Sequence, residues 1–421
     1  MRIAMLSVHS SPLARLGGKE AGGMNVYVRE LGRELGRRGI GVDIFTRSQE
    51  PGTPRVIALD RGVRVVNLQA GPLAPYDKNL LLDYLPEFMS RVRCFADGED
   101  LSYDLLHSHY WISGEAALAL RRSWGVPVVH MFHTLGAMKN QVARSDEERE
   151  TGRRIDIERL LMSEADAIIA ATPLDRAQMV WHYGADADAV SVVPCGVDLG
   201  RFQPRAMADA RAALDLPPPP HRLLLLVGRI EPLKGIDALI MAMARIFEQQ
   251  PALRGRLTAL VVGGEGEDAP ARWNAEQRRL DALRHELGIA DAIRFVGART
   301  QDQLPLFYSA ADIITMPSHY ESFGMAALEG LASGRPVVAT NAGGPAYIVE
   351  DGKSGLLTPP DDPSALAARL LQLLDNDELR ETLGVGARRR AQRFGWATVG
   401  CDILQIYREV LAPAQRAALA V

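Results

Sequence analysis

The chain alternates short apolar runs with longer segments whose apolar residues recur at helical spacing. Runs of valine, isoleucine and leucine with few polar residues between them are typical of strands buried on both faces of a parallel sheet. The first half of the chain has seven such runs: RIAMLSV, GVDIFTR, VRVVNLQ, YDLLHSHY, VPVVHMFHT, AIIAATP and VSVVPCGV. The second half has five more: RLLLLVGRI, RLTALVVGG, IRFVGA, ADIITMPS and PVVATNAGG. This pattern predicts two successive α/β domains, each with a doubly wound parallel sheet.

A proline-rich stretch separates the two sets of runs. The segment DLGRFQPRAMADARAALDLPPPPHR contains four consecutive prolines just before the next predicted strand, and such a stretch is typical of a domain boundary. At 421 residues the chain also exceeds what one hydrophobic core usually holds. We expect a first domain over residues 1–200, a second over residues 201–395, and a C-terminal helix over residues 396–421 that packs back on the first domain.

Composition narrows the class of protein. The formal net charge of −4 provides no basic surface for nucleic acid. Cys94, Cys195 and Cys401 are far apart in the sequence, which favours a reducing compartment and argues against a structural zinc site. No apolar run approaches the roughly 18 residues that a membrane-spanning helix needs, and the N-terminus has the pattern of a buried strand. We expect a cytoplasmic protein without a nucleic-acid partner.

Polar residues concentrate where the predicted strands end. In open parallel sheets, ligands bind outside the carboxyl ends of the strands, so these residues are the first candidates for a site. The strand ends carry the segments SVHSSP, HSHYW, MFHTLG, VGRIEPLKG, VGGEG and MPSHYESFG. Two domains that each present such a face predict a cleft between them.

The stretch ESFGMAALEG contains Glu321 and Glu329 with seven residues between them. If a helix begins near Phe323, one carboxylate lies at its N-terminus and the other lies two turns further along the same face. Such a pair would hydrogen-bond two polyhydroxy parts of one extended ligand. A capping acid followed by a solvated helix residue is the structural alternative.

Two further stretches suit phosphate groups. VGRIEPLKG sets Arg229 and Lys234 at a strand end beside a helix N-terminus, which suits a pyrophosphate. AGGMNVYVRE sets Gly22 and Gly23 before a helix that we expect to begin near Asn25, where free N–H groups and the positive dipole end would face an anion. Solvated surface cations and an ordinary pair of loop glycines are the alternatives.

Two other motifs resemble known metal-binding and dinucleotide-binding patterns, but neither supports such a site. Asp186 and Asp188 match the D-x-D pattern of many metal-dependent sugar-nucleotide enzymes, but their place between a predicted helix and a predicted strand favours a polar turn. GGEGED departs from the dinucleotide fingerprint G-x-G-x-x-G, so a nicotinamide cofactor has no support. We expect no metal site.

Together the motifs resemble those of one family. The chain resembles the retaining glycosyltransferases of family 4, whose signatures it carries as AGGMNVYV, HSHYW, HTLGAMKN, VPCGVD, VGRIEPLKG and ESFGMAALE. The resemblance implies the GT-B fold, an α/β architecture in which two Rossmann-like, doubly wound parallel-sheet domains face a central cleft. Within the family the chain is most similar to the mycothiol-type D-inositol-3-phosphate glycosyltransferases, with sucrose-phosphate synthases as near relatives.

The resemblance implies a site for a nucleotide-diphosphate sugar, UDP-GlcNAc or UDP-glucose. Arg229 and Lys234 would hold the diphosphate and act in catalysis. Glu329 would bind the ribose hydroxyls. Glu321 would bind the 3-hydroxyl of the sugar and would be a catalytic residue together with Arg229 and Lys234. His133 would complete the catalytic set beside the anomeric region. The remaining donor contacts would come from Gly22, Gly23, Phe323, Gly324 and Met325.

The resemblance also implies an acceptor site in the first domain. Its residues would be His9, Asn25, Lys78, Tyr110, Thr134, Lys139 and Arg154. Lys78, Tyr110, Thr134 and Arg154 would form a phosphate pocket, since two cations with a phenol and a hydroxyl suit a dianion. Lys139 matches a lysine that relatives acting on sugar phosphates use, and Arg153 is a rival for the role of Arg154.

The identity of the acceptor stays open, because the motif HTLGAMKN is intermediate between the forms found in enzymes that act on inositol phosphate and in sucrose-phosphate synthases. A phosphorylated polyol such as inositol 3-phosphate comes first, a hexose phosphate second, and a lipid or glycan acceptor at the membrane third. The resemblance requires no cofactor, leaves room for Mg²⁺ without a catalytic role, and allows a homodimer or a peripheral membrane contact. An epimerase or phosphorylase of the same fold, or an inactive nucleotide-sugar binder, are the other classes.

Overall fold

The computed structural model describes residues 1–14 and 22–418. The chain forms two compact units. Of the described residues, the first unit contains 1–14, 23–196 and 396–418, and the second contains Gly22 and 197–395. The four consecutive prolines, 217–220, therefore lie inside the second unit and not at its border.

The first unit, as far as it is described, is built on an eight-stranded sheet with the order β3-β4-β2-β1-β5-β6-β7-β8. Neighbouring strands are parallel except for the antiparallel pair β3 and β4 at one edge. The strands are β1 (Arg2–Leu6), β2 (Gly41–Arg47), β3 (Val56–Asp60), β4 (Val63–Leu68), β5 (Leu105–His109), β6 (Val128–Met131), β7 (Ala167–Ala170) and β8 (Val190–Val192).

Helices cover this sheet and bury its apolar residues. They are α1 (Gly23–Arg37), α2 (Leu85–Gly98), α3 (Trp111–Trp124), α4 (Gly136–Val142), α5 (Gly152–Glu164), α6 (Pro173–Tyr183) and, from the end of the chain, α15 (Trp396–Ala418). Local sequence sets their ends, as α6 illustrates: the Thr172 side chain caps it by accepting a hydrogen bond from the Asp175 N–H, and Gly184 ends it in the left-handed conformation.

Helix α15 packs against α1 and supplies buried aromatic residues to the first unit. The Tyr407 hydroxyl lies 2.6 Å from His107 Nδ1 in the central strand β5. The ring of Trp396 packs edge-on against Tyr27 of α1, with 5.5 Å between ring centroids. The core of the first unit therefore includes residues from both ends of the chain.

The second unit has, among its described residues, a six-stranded parallel sheet with the order β11-β10-β9-β12-β13-β14. Its strands are β9 (Arg222–Val227), β10 (Leu257–Val262), β11 (Ile293–Phe295), β12 (Ile313–Met316), β13 (Val337–Thr340) and β14 (Gly355–Thr358). Its helices are α7 (Met207–Ala213), α8 (Ile236–Gln249), α9 (Ala275–Glu286), α10 (Leu304–Ala310), α11 (Met325–Ala332), α12 (Pro345–Ile348), α13 (Pro363–Leu374) and α14 (Asp377–Ala391).

All twelve apolar runs form strands, which confirms the predicted fold class of two parallel-sheet α/β domains. The prediction missed β3 and β14. Residues of β3 alternate between exposed and partly buried because this strand lies at an edge, so it lacks the continuous apolar pattern of a central strand. Strand β14 has four residues and is also at an edge. In residues 1–14 and 22–418, no helix is long and apolar enough to cross a membrane.

We predict that Trp396→Ala destabilises the protein because it empties a buried site between α15 and α1. Trp396 is only 6% exposed, and truncating a buried tryptophan costs about 3–5 kcal/mol of the free energy of unfolding. Chemical denaturation followed by circular dichroism measures this loss. Trp181→Ala is the control, because Trp181 is 74% exposed and should change the free energy by less than about 0.5 kcal/mol. Equal losses in the two variants would contradict the packing of α15.

Candidate functional site

In the first unit, adjacent parallel strands bring the predicted residues together. Strands β1, β5 and β6 are neighbours, and His9, Tyr110 and His133 follow them at their carboxyl ends. The His9 and Tyr110 rings lie 4.3 Å apart between centroids. Tyr110 and His133 both have positive φ, at 74° and 62°. Such backbone strain in residues other than glycine is concentrated at functional sites.

His133 is oriented by a second histidine, which the sequence analysis did not single out. Its Nε2 atom lies 3.1 Å from Nδ1 of His109, the last residue of β5. Burial lowers the pKa of His133 to about 3 and the pKa of His109 well below its usual value. With both rings neutral, one nitrogen of the pair must donate and the other accept, so the tautomers of His109 and His133 are coupled.

Two more neutral histidines lie beneath this pair in the sheet. His107 approaches the Tyr407 hydroxyl, and His130 Nδ1 lies 2.8 Å from Ser108 Oγ. Burial, and secondly the neighbouring His133, lowers the pKa of His107 to about 3. Burial likewise lowers the pKa of His130 well below its usual value. These histidines form an uncharged polar layer under the strand ends.

The predicted phosphate pocket is centred on Arg154, whose side chain is completely buried. Its NH1 atom donates to Tyr110 Oη at 2.9 Å, and its NH2 atom donates to the carbonyl and hydroxyl oxygens of Thr134 at 2.9 and 3.1 Å. Its Nε atom donates to Glu158 at 2.7 Å. The rival Arg153 is exposed, so Arg154 is the arginine that meets Tyr110 and Thr134.

Two lysines join this cluster. Lys78 Nζ donates to Tyr110 Oη at 3.2 Å and lies over the Tyr110 ring. Lys139 extends from α4 to the same place, where it contacts the carboxylate of Glu150. These residues come from four segments of the first unit, since Thr134 and Lys139 share one, and the fold brings all five together: Lys78, Tyr110, Thr134, Lys139 and Arg154.

Glu150, which the sequence analysis missed, is the anion of the cluster. Its Oε1 atom contacts Lys139, lies 3.3 Å from Lys78 Nζ, and lies 2.9 Å from Arg154 NH1. Burial opposes ionisation of Glu150, but Arg154, Lys78 and Lys139 outweigh it and lower its pKa to about 2. The only sequence signal was its place four residues before Arg154 in an acidic stretch, which Glu147 and Glu148 share.

Asn25 lies inside α1, which begins at Gly23, two residues before the predicted start near Asn25. Both amide N–H groups of Asn25 donate to the loop after β1, to Ser10 Oγ at 2.6 Å and to the Ser11 carbonyl at 2.7 Å. Asn25 therefore holds the loop that carries His9. Gly22 is grouped with the second unit, where a Cβ on it would lie 3.7 Å from Arg229 Nε.

In the second unit, the predicted diphosphate cations follow the central strand β9. Arg229 NH1 lies 2.7 Å from Glu231, and Lys234 Nζ contacts the carboxylate of Glu321, which follows the neighbouring strand β12. Lys234 precedes α8, and only a glycine fits between them. Gly235 has φ 62°, and a Cβ there would lie 2.0 Å from the Pro317 carbonyl oxygen.

The predicted relation between the two glutamates is wrong. Helix α11 begins at Met325, two residues after the predicted start near Phe323, so Glu321 lies in the loop before it and shares no helix face with Glu329. Glu329 is buried within α11, where its carboxylate accepts hydrogen bonds from Gln301 at 3.0 Å and from Tyr308 at 2.8 Å. Gln301 and Tyr308 thus orient Glu329, and nothing in the sequence singled them out.

Phe323 and the capping residue Gly324 directly precede Met325, the first residue of α11, where the first N–H groups of a helix have no partner within it. The backbone before them is held by a glycine turn that follows β13, which the sequence analysis also missed. The Gly344 N–H donates to the Glu321 carbonyl at 2.8 Å. A Cβ on Gly343, whose φ is 64°, would lie 2.1 Å from the same oxygen. This turn sets where Glu321 lies.

The D-x-D motif is a turn, as predicted. Asp186 precedes β8, and its side chain accepts the Asp188 N–H at 3.0 Å. Within the part of the chain that the structure describes, no three histidine, cysteine, aspartate or glutamate side chains are arranged to hold a metal ion.

Comparison with known proteins matches both halves of the chain to glycosyltransferase family models. Residues 21–201 match the model of Glycosyltransferase Family 4, and residues 215–390 match that of Glycosyl transferases group 1.

Individual relatives match along the whole chain. The D-inositol 3-phosphate glycosyltransferase of Saccharomonospora viridis is 43% identical, over 100% of this chain and 96% of that protein. The protein of the same name from Thermomonospora curvata is 43% identical, over 96% and 95%. Among solved structures, a sucrose-phosphate synthase from Thermosynechococcus elongatus is 37% identical with a TM-score of 0.89, over 98% of this chain and 99% of that one.

We predict that acid destabilises the protein through the buried histidines. Their pKa values are lowered on folding, so below about pH 6.5 the unfolded chain binds protons that the folded chain does not. Stability should fall with pH from about 6.5 towards 3. For His107, whose folded pKa is about 3, the loss is about 2 kcal/mol at pH ~5.

Urea denaturation near neutral pH and at about pH 5 measures this effect. His107→Gln keeps a polar partner for Tyr407 and should remove about 2 kcal/mol of the pH dependence. His182→Gln, at an exposed position, should leave it unchanged. The same pH dependence in both variants would contradict a neutral buried His107.

Proposed function

The chain belongs to glycosyltransferase family 4, and on that premise we propose that it transfers a sugar from a nucleotide-diphosphate sugar to D-inositol 3-phosphate with retention of configuration. Its relatives with 43% identity along the full length carry the name D-inositol 3-phosphate glycosyltransferase. UDP-GlcNAc and UDP-glucose are the proposed donors. The observation that supports a phosphorylated acceptor is the convergence of four side chains in the first unit: Lys78, Tyr110, Thr134 and Arg154.

The donor role belongs to the second unit. Arg229 and Lys234 follow β9 next to the point where the strand order of the sheet reverses, which is where ligands bind in such sheets. Arg229 pairs with Glu231 and Lys234 with Glu321, so both cations are held in place before a ligand arrives. A diphosphate would exchange these carboxylates for its own oxygens, and the N-terminus of α11 would add N–H donors.

The chemistry follows from the charge that develops on the leaving group. As the bond from the anomeric carbon to the diphosphate oxygen breaks, its electron pair stays on the diphosphate, where Arg229 and Lys234 stabilise it. The acceptor hydroxyl oxygen then bonds to the oxocarbenium-like carbon from the same face. Its proton passes to the departing phosphate oxygen. Glu321 would hold the 3-hydroxyl of the sugar and His133 would contact the sugar near the anomeric carbon, so both residues orient the reacting carbon.

The acceptor role belongs to the first unit. Five side chains from four separate segments provide three cations, a phenol and a hydroxyl at one place. Glu150 and Glu158 offset two of the three cations, so the cluster keeps a net positive charge. A phosphate carries close to two negative charges near neutral pH and accepts several hydrogen bonds, which matches such a cluster. This chemistry favours a phosphorylated acceptor over a neutral polyol.

A hexose phosphate such as fructose 6-phosphate is the second candidate acceptor. It is favoured by the 37% identity and TM-score of 0.89 to a sucrose-phosphate synthase, and by Lys139, which lies in the same cationic cluster. A mass-spectrometric screen of UDP-GlcNAc and UDP-glucose against inositol 3-phosphate, fructose 6-phosphate and their dephosphorylated forms distinguishes the two. If the free polyol reacts as well as its phosphate, the acceptor proposal is wrong.

We predict that Lys234→Ala and Arg229→Ala each lower kcat/KM by about 2–4 kcal/mol of transition-state stabilisation, because each removes a cation from the leaving diphosphate. Steady-state kinetics at saturating acceptor measures the loss. Lys353→Ala removes an exposed cation of the same unit and should keep activity. Activity of Lys234→Ala within about twofold of the wild type would remove Lys234 from the donor site.

For the acceptor, we predict that Lys78→Ala raises the KM for inositol 3-phosphate by roughly tenfold or more, since a charge-assisted hydrogen bond contributes about 1.5–3 kcal/mol. Hydrolysis of the donor should change little. Arg153→Ala is the matched control, because Arg153 is exposed beside the buried Arg154. Lys78 is the better target because removing Arg154 would leave the buried Glu158 without its ion pair. Equal KM values in the Lys78 and Arg153 variants would refute the pocket.

A further inference from the structure

In the cationic cluster of the first unit, a carboxylate of the protein already occupies the position proposed for the acceptor phosphate. The Glu150 carboxylate contacts Lys78, Lys139 and Arg154 through a single oxygen atom. Its side chain is only 5% exposed. The three cations are the same groups that the proposed function assigns to the phosphate of the acceptor.

Protein partners surround the Arg154 guanidinium. Nε donates to Glu158, NH2 donates to both oxygens of Thr134, and NH1 donates to Tyr110 and forms an ion pair with Glu150 at 2.9 Å. A phosphate can approach this guanidinium closely only if one of these partners gives way. Glu158 is fixed, because it also accepts hydrogen bonds from the Gly136 N–H and the Tyr183 hydroxyl.

Charge selects Glu150 as the partner that gives way. Three cations and the two carboxylates Glu150 and Glu158 leave the cluster with a formal charge of +1. Without the Glu150 carboxylate the charge would be +2, which balances a phosphate dianion. With the carboxylate in place, two like charges would compete for the same oxygen-binding position at a cost that grows in a buried site.

The Glu150 side chain can leave without its backbone. Asn140 clamps the backbone on both sides, accepting the Glu150 N–H at 2.7 Å and donating to its carbonyl at 3.2 Å. The neighbouring residues Arg149 and Thr151 are exposed. The Glu150 partners Lys78 and Lys139 are 24% and 22% exposed, so solvent reaches the cluster, and rotation about the side-chain bonds of Glu150 would bring its carboxylate towards solvent.

We propose that the Glu150 carboxylate occupies the phosphate position of the ligand-free enzyme and that the phosphate of the acceptor displaces it. Glu150 thereby determines acceptor specificity: a dianion can take over its three cations, and a neutral polyol cannot. This inference rests on the proposed function, because it requires an acceptor that carries a phosphate.

Isothermal titration calorimetry with inositol 3-phosphate and with inorganic phosphate tests the displacement. If Glu150 fills the pocket in about nine of ten molecules, Glu150→Gln should lower both dissociation constants roughly tenfold. Glu150→Asp, which keeps the charge but retracts it by one methylene, should lower them less. Glu147→Gln removes the same charge from an exposed position of the same segment and should change neither. Thermal denaturation verifies that each variant is folded.

The outcomes separate this inference from the proposed function. Tighter binding in Glu150→Gln together with weaker binding in Lys78→Ala supports both. Unchanged or weaker binding in both Glu150 variants, with Lys78→Ala still weakened, overturns displacement and makes Glu150 a residue that positions the cations, while the acceptor pocket stands. If inositol 3-phosphate binds to the wild type and to Lys78→Ala equally, or to neither, the pocket itself is wrong and the inference fails with it.

Discussion

Parallel pairing at the centre of each sheet is the constraint on which the candidate site depends. Strand β1 pairs with β5 and β5 with β6, so the residues that follow these strands emerge at one edge. Strand β9 pairs with β12 in the second unit in the same way. Side chains that are far apart in the sequence thus become neighbours, because parallel strands carry their carboxyl ends to the same side. Without this pairing Tyr110 and Thr134 would not both reach Arg154, and Lys234 would not meet Glu321.

The charged residues of the candidate site are paired before any ligand arrives. Lys234 contacts Glu321, Arg229 contacts Glu231, and Arg154 lies between Glu150 and Glu158. Pairing offsets part of the cost of removing these groups from water. A ligand must also replace these carboxylates. Its affinity therefore depends on how much more strongly its own oxygens interact with the cations than the carboxylates do. Such exchange favours ligands with more charge than a carboxylate, and phosphates meet that condition.

The first unit adds a second, uncharged layer of polar groups beneath the cations. His107, His109, His130 and His133 are held neutral by burial, and α15 from the end of the chain closes over this layer through Tyr407. Neutral imidazoles both donate and accept, so they can fix one another's tautomers without adding charge. The arrangement supports the strained backbone at Tyr110 and His133, which the surrounding packing must hold in place.

The sequence by itself determined the fold class, because strands buried on both faces require continuous apolar runs, and twelve of them were readable. It also determined the family and the positions of most candidate residues, because these lie in short motifs at strand ends. It could not show which acidic residue enters the cluster, Glu150 or one of those beside it, or which arginine does, Arg154 or Arg153. Neighbouring residues of the same type differ in where their side chains point, and the fold determines that direction. It also placed the start of α11 two residues early. Only the tertiary structure decided that Gln301 and Tyr308 orient Glu329 and that Tyr407 reaches His107. Those partners are distant in sequence, and only packing determines which of many polar residues come within hydrogen-bonding distance.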